Sequence, residues 1–201
     1  MKECCGLLCC LVGCANLPRR RGIVMQKILM GMIGAFLGTM VVACGTIAAR
    51  PAASASGDAH WLITHSAMRS VTIKILAGEQ NGMNFNGYAN GQMLITVPVN
   101  WHVTVDFANV DNAETHSAMI VPLKDHALAS IPQTVVVFPR ATTPDPSEGT
   151  GYNISQSFQF SVTKPGAYAL VCGVPGHALM GMWDRFTVSQ TAKFPTITVS
   201  D

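Results

Sequence analysis

Cys172, His177 and Met182 stand five apart in the stretch CGVPGHALMGM. A thiolate, an imidazole and a thioether on one short loop form a soft donor set suited to a soft metal. The glycines and Pro175 between them set a sharp return that carries His177 back beside Cys172. A second imidazole has to come from a different strand, and His116 is the best placed. Met182 is preferred as the thioether from its spacing, with Met180 and the more distant Met119 as rivals. His126 is the reserve if His116 fails; His60, His65 and His102 read as ordinary histidines. Two imidazoles and a thiolate in a trigonal array, with a distant thioether, describe a blue-copper site that passes single electrons.

Holding that geometry needs a rigid frame, and strand signals dominate the chain from His60 onward. SVTIKILA (70–77) is β-branched, and QMLITVP (92–98) follows a turn-rich segment. HVTVDFANV (102–110) alternates, with Val103, Val105 and Phe107 on one face and Thr104 and Asp106 on the other. SAMIVP (117–122), QTVVVFP (133–139), SFQFSVT (157–163), AYALVC (167–172) and WDRFTVS (183–189) continue the series. Phe158, Phe160 and Val162 share a face, as do Tyr168, Leu170 and Cys172. Short strands between Gly, Pro and Asn turns predict an all-β antiparallel sandwich or barrel. Arg140 to Gln156 reads as a long polar loop, HALASI (126–131) as one short helix, and 191–201 as a last strand or a tail.

The first 44 residues belong to a different physical regime. Arg19, Arg20, Arg21 and Lys27 precede an uncharged apolar run from Ile28 to Ala43, the pattern of an export signal or membrane anchor. Val41-Val42-Ala43-Cys44-Gly45 resembles a bacterial lipobox, which makes Cys44 the expected lipidation site; the other option is a retained transmembrane anchor. Met25 begins a complete signal of this kind, so translation is expected to start there. Residues 45–59 are rich in Ala, Ser and Pro and read as a flexible tether. The domain that follows (60–190) is therefore expected outside the cytoplasm, in the periplasm or at the cell surface, anchored to a membrane.

Charge and cysteine usage change once the leader is set aside. Residues 1–44 hold five of the 13 Lys/Arg and one of the 11 Asp/Glu, leaving eight and ten, a formal charge near −2. No basic cluster follows residue 50, which argues against nucleic-acid binding. The low charge density suits an acidic exterior. Beyond Cys44 the one cysteine is Cys172, so the domain has no intrachain disulfide where disulfides would be allowed. A lone exported thiol is exposed to oxidation unless it is buried or ligated.

CGVPGHALMGM, with NFNGYANGQMLITVP and the HSAMIV segment, resembles the sulfocyanin and rusticyanin branch of the cupredoxins over roughly residues 70–190. That branch carries Cys-x4-His-x4-Met, and Cys172, His177 and Met182 match it position by position. The resemblance implies an eight-stranded Greek-key sandwich holding one type 1 copper ion. It also implies electron transfer with respiratory proteins, such as a c-type cytochrome or a terminal oxidase, by a monomer. Many members follow the upstream ligand His with an Asn that ties the two ligand loops. Here that position is Ser117, as in rusticyanin-like proteins, and the substitution is expected to alter the surroundings of the site and its potential. Pro175, Ala178, Leu179 and Met180 surround His177 with small and apolar groups, an expected docking patch that also shields the metal.

Two other functions are weighed against electron transfer. Copper storage or delivery calls for exchangeable Met- or His-rich surface sites, whereas four protein donors close the coordination sphere. An enzyme needs an open metal position. The His-x-His pairs of multicopper oxidases and the second loop cysteine of a binuclear centre are both missing from the sequence. Asn153-Ile154-Ser155 fits a glycosylation sequon, a triplet common by chance.

Overall fold

The computed structural model describes residues 59–200, so the expectations for the leader, Cys44 and most of the tether lie outside the described residues. Among the described residues, nine strands form two facing sheets. The four-stranded sheet runs in the order β1 (Leu62–His65), β2 (Ser70–Ala77), β4 (Trp101–Asn109), β6 (Ser155–Val162). The five-stranded sheet runs β5 (Met119–Pro122), β7 (Gly166–Val171), β8 (Trp183–Ser189), β3 (Met93–Pro98), β9 (Thr196–Val199). The all-β sandwich expected from the alternation is present.

Two pairings are parallel, β2 with β4 and β3 with β8, so both sheets are mixed. The cause is the path of the chain. After β2 it crosses to the other sheet for β3, then returns to lay β4 beside β2 in the same direction. Alternation along a strand shows which side chains share a face; it carries no information about the direction of the neighbour.

The shared faces meet in the middle. Val103, Val105 and Phe107 of β4 and Phe158, Phe160 and Val162 of β6 bury against Tyr168, Leu170 and Phe186 of the opposite sheet. Phe138 stacks on Phe160 at 5.8 Å between centroids and meets Tyr168 edge-on at 5.1 Å. Each such side chain contributes roughly 1.5–3 kcal/mol by leaving water. A second, smaller cluster (Met119, Val121, Ile131, Ala169, Val171, Ala178) covers the other face of β5 and β7.

Two segments differ from expectation. QTVVVFP is not a strand: Gln133–Val135 form a 3₁₀ turn, and Phe138 is fully committed to the core. Pro132 and Pro139 flank the run and have no N–H to give a ladder. Val137 N–H reaches β5 all the same, donating to the Ile120 carbonyl at 3.0 Å. HALASI forms no helix either; a 3₁₀ turn at Leu123–Asp125 precedes it and the rest is irregular. Pro132 disfavours helical backbone at Ile131, and the segment instead docks on the 172–182 loop, with the Ala129 carbonyl accepting from Gly176 N–H at 2.7 Å. The tail forms β9, antiparallel to β3, and β1 adds an exposed edge strand that the sequence did not announce.

Candidate metal centre

The ends of β2, β4 and β7 and the starts of β3, β5, β6 and β8 lie at one end of the sandwich, where the loops around Gly78, Asp111–Ser117, Thr143–Thr150 and Cys172–Met182 converge. Cys172 continues the inward face of β7 beyond Leu170 and is fully buried. The loop after it closes on itself. Cys172 N–H donates to the Met182 carbonyl at 3.1 Å, Met182 N–H to the His177 carbonyl at 3.0 Å, and His177 N–H to the Val174 carbonyl at 3.2 Å. His177 is thereby returned beside the cysteine it follows by five residues, with Nδ1 3.6 Å from Sγ.

His116 enters from the loop between β4 and β5. Its Nδ1 lies 3.3 Å from Nδ1 of His177, and its Nε2 is 3.0 Å from Oδ2 of Asp111. The carboxylate accepts the Nε2 proton, which leaves the Nδ1 lone pair aimed at the other donors. His116, Cys172 and His177 present ligand atoms all within 4.8 Å of one another, and all three residues are buried.

Asp111 was not anticipated as part of this centre. Its Oδ1 accepts from the N–H groups of Ala113 and Glu114, at 2.8 and 3.2 Å, which wraps the loop around the carboxylate. Burial alone would raise its pKa, but the hydrogen bond with His116 and those two N–H groups hold it below the ordinary value. Asn109 braces the same loop, donating from Nδ2 to the carbonyls of Glu114 and Thr150. Gly78 packs against the pair in left-handed backbone (φ 78°): a Cβ there would sit 2.3 Å from Cβ of Asp111 and 2.8 Å from Nε2 of His116. Asp-Asn after a strand does signal a turn, but the sequence does not say where the second carboxylate oxygen points.

Ser117 joins the two ligand-bearing loops. Its hydroxyl accepts from Gly173 N–H and donates to the Pro146 carbonyl, both at 2.8 Å, and its N–H donates to Cys172 Sγ at 3.3 Å. Burial pushes the Cys172 thiol up, while the N–H groups of Ser117 and Val174 and the Ser117 hydroxyl pull it down. Burial also lowers the pKa of His177, helped by the neighbouring His116; Glu114 and Asp111 act the other way.

The methionines separate by burial. Met182 is 0% exposed in the same core cluster as Cys172, whereas Met180 is 60% exposed. Met119 packs in the second cluster with its sulfur against Gly173. His126 is drawn elsewhere: its ring lies against Trp183, 3.9 Å between centroids, and Nδ1–H donates to the Leu123 carbonyl at 2.7 Å. His60, His65 and His102 are exposed, and His102 meets the Ser161 hydroxyl.

The donor atoms fit copper. Two buried nitrogens facing each other at 3.3 Å, one with its lone pair fixed inward, want a cation or a proton between them. A buried thiol beside them, held by two N–H donors, is a ready thiolate once a metal replaces its proton. Two imidazoles and one thiolate, with a thioether in the same buried cluster, match the type 1 copper donor set.

The chain is similar to several known proteins. A family model described as the sulfocyanin (SoxE) domain matches residues 59–199, well over half of the chain. Sulfocyanin of Sulfolobus acidocaldarius is 28% identical over 119 residues, 57% of this chain; the match spans 60% of that protein's length. Among solved structures, auracyanin of Roseiflexus castenholzii is 24% identical with a TM-score of 0.43, covering 59% of this chain and 96% of that one. Auracyanin A of Chloroflexus aurantiacus, described as a "blue" copper protein, is 19% identical with a TM-score of 0.46, covering 60% and 99%. A rusticyanin variant is 18% identical with a TM-score of 0.44, covering 60% and 78%.

Proposed function

The chain belongs to the sulfocyanin domain family, and on that premise we propose that it is a membrane-tethered, extracytoplasmic carrier of single electrons between respiratory redox proteins. The observation that carries this reading is the convergence of three buried donor atoms within 4.8 Å, beside a buried Met182. His116, Cys172 and His177 would hold one type 1 copper ion, with Met182 as the distant fourth ligand. Copper held there supplies a reversible one-electron couple.

The chain's own residues prepare that couple. Asp111 fixes the tautomer and direction of His116, and Ser117 locks the loops that carry His116 and Cys172. The N–H groups of Ser117 and Val174 stabilise negative charge on the thiolate in a site from which water is excluded. A sandwich packed on both sides resists movement of any of these groups when the charge changes. His177, 5% exposed, is the ligand nearest the surface, and Pro175, Leu179 and Met180 give it an exposed apolar surround against which a partner could exclude water, whereas Ala178, expected in the same patch, is 1% exposed and packs inward with Met119 and Val171. A set closed by four protein donors leaves no position for a substrate, which favours a carrier over an enzyme and over a module that hands copper on.

The expected partner is a c-type cytochrome or a terminal oxidase, met by a monomer, with no role for nucleic acid. A competition experiment separates carrier from delivery. The copper-loaded protein should exchange electrons rapidly with a cytochrome c and lose copper slowly to a strong chelator. Fast loss of copper with sluggish electron exchange would favour delivery instead.

A further inference from the structure

The apolar patch around the ligand loop extends beyond that loop. Leu179 and Met180 are 59% and 60% exposed, and Leu128, 39% exposed, belongs to the segment tied to the loop by the Gly176 N–H to Ala129 carbonyl bond. Exposed side chains of this size gathered at one end of a soluble fold mark a contact surface.

The charge around that patch is one-sided. The loops at this end, 78–92, 110–118, 143–154 and 172–182, carry Glu79, Asp111, Glu114, Asp145 and Glu148, and no Lys or Arg. Asp111 is committed to His116. The other four make no ion pair among the described residues. Glu114, Asp145 and Glu148 adjoin the patch through packed backbone. Thr115 donates to the Glu148 carbonyl at 2.8 Å, Gly149 lies against Val174, and Gly173 lies against Pro146. The turns at the opposite end, 66–69, 99–100, 163–165 and 190–195, carry Arg69, Lys164 and Lys193, and no Asp or Glu.

Between the ends two opposite pairs offset each other and two arginines are left over. Lys74 and Asp106 face each other across β2 and β4, and Lys124 pairs with Asp125 at 3.1 Å. Arg140 lies on the flank. Among the described residues Arg185, on β8 against Gly91 of the 78–92 loop, is the one cation bordering the metal end, and neither arginine makes an ion pair. The net result is a sandwich polarised along its length, negative at the metal end.

We infer that the metal end docks, apolar patch first, onto a redox protein whose exposed cofactor edge is ringed by lysine and arginine side chains. This rests on the electron-carrier reading and adds the charge of the partner to it. A field polarised along the molecule turns the approaching partner toward the right end and speeds encounter, while the apolar patch makes the contact through which water is expelled.

Two small outer-sphere oxidants of opposite charge test this with the reduced, copper-loaded protein. In each reaction one electron leaves the protein's copper and reduces the oxidant's metal, Co(III) to Co(II) in the tris(phenanthroline)cobalt cation or Fe(III) to Fe(II) in hexacyanoferrate. As ionic strength rises from about 0.01 to 0.5 M, screening should slow the cation about tenfold and speed the anion. The Glu114→Gln/Glu148→Gln double variant should lose roughly fivefold of the low-salt rate with the cation, whereas Lys164→Gln/Lys193→Gln should stay within about twofold. Salt responses of the same sign for both oxidants, or a double variant indistinguishable from wild type, would overturn the inference.

A second arm does not depend on copper. The redox-inert hexaamminechromium(III) cation should broaden the amide signals of the metal-free protein around Glu114, Asp145 and Glu148. Even broadening, or broadening centred on Arg69 and Lys164, would overturn the docking charge whatever becomes of the electron-carrier reading.

Discussion

The two imidazoles of the centre are held in opposite ways. His116 is wholly buried, with Asp111 on its Nε2, Gly78 flat against its ring and Asn109 bracing its loop. His177, 5% exposed, rides on a loop of small and apolar residues whose Leu179 and Met180 reach the surface. One side of the centre is built for fixed geometry; the other is built for access. A carrier of single electrons needs both, because a donor set that shifts with charge is slow and one that is fully enclosed meets no partner.

The contrast predicts large effects on the buried side and small ones at the rim. Gly78→Ala places a methyl group where Asp111 and His116 already are, in left-handed backbone. It should destabilise the metal-free protein by about 3–5 kcal/mol in urea unfolding and displace His116. A fully stable variant with unchanged copper affinity would remove the case for a rigid buried side.

Asp184 comes next, a buried carboxyl two residues past Met182. Its Oδ1 accepts from Met93 N–H at 2.9 Å, its Oδ2 has no partner, and burial raises its pKa to about 7. The sign follows from comparing states. Below about pH 4 the carboxyl is protonated in both states and costs nothing. Between about pH 4 and 7 the unfolded chain ionises while the native protein keeps its proton, so stability falls as pH rises; above that the loss is complete, about 2–4 kcal/mol. Asp184→Asn should flatten this part of the stability–pH curve relative to wild type, measured by urea unfolding at several pH values; parallel curves would refute the assignment. Asp111 acts in the opposite sense. Its depressed pKa contributes stability above the ordinary carboxylate value that is lost as pH falls through the native one.

Asp111→Ala should lower copper affinity about 10–100-fold in competition with a chelator, through loss of the group that aims His116. A change below threefold would show that the loop alone suffices. At the rim, Met180→Ala should alter stability by less than about 0.5 kcal/mol and leave copper affinity unchanged. A loss comparable to that of Asp111→Ala would erase the distinction between the two sides.

The sequence made some of this legible and hid the rest for identifiable reasons. Cys172, His177 and Met182 lie on one short loop, so their meeting is a local matter that spacing can report. His116 could be proposed because alternation placed it between two strands, but its distance from Cys172 depends on how two sheets face each other. Asp111 and Gly78 act through loop closure and through the absence of a side chain, neither of which leaves a periodic trace. The valines of 133–139 suggested a strand because β-propensity reports apolar, branched residues; flanking prolines and burial of Phe138 decided otherwise. The parallel pairings follow from crossovers between sheets, which no single segment encodes.

The central claim is that Cys172, with His116, His177 and Met182, forms one type 1 copper site. The most direct measurement is the optical and electron-paramagnetic-resonance spectrum of the oxidised, copper-loaded protein beside Cys172→Ser. The wild type should show an intense visible thiolate-to-copper charge-transfer band and the narrow copper hyperfine splitting of a type 1 site, both absent in the variant. A colourless wild type with an ordinary copper spectrum, or a variant that keeps the band, would contradict it.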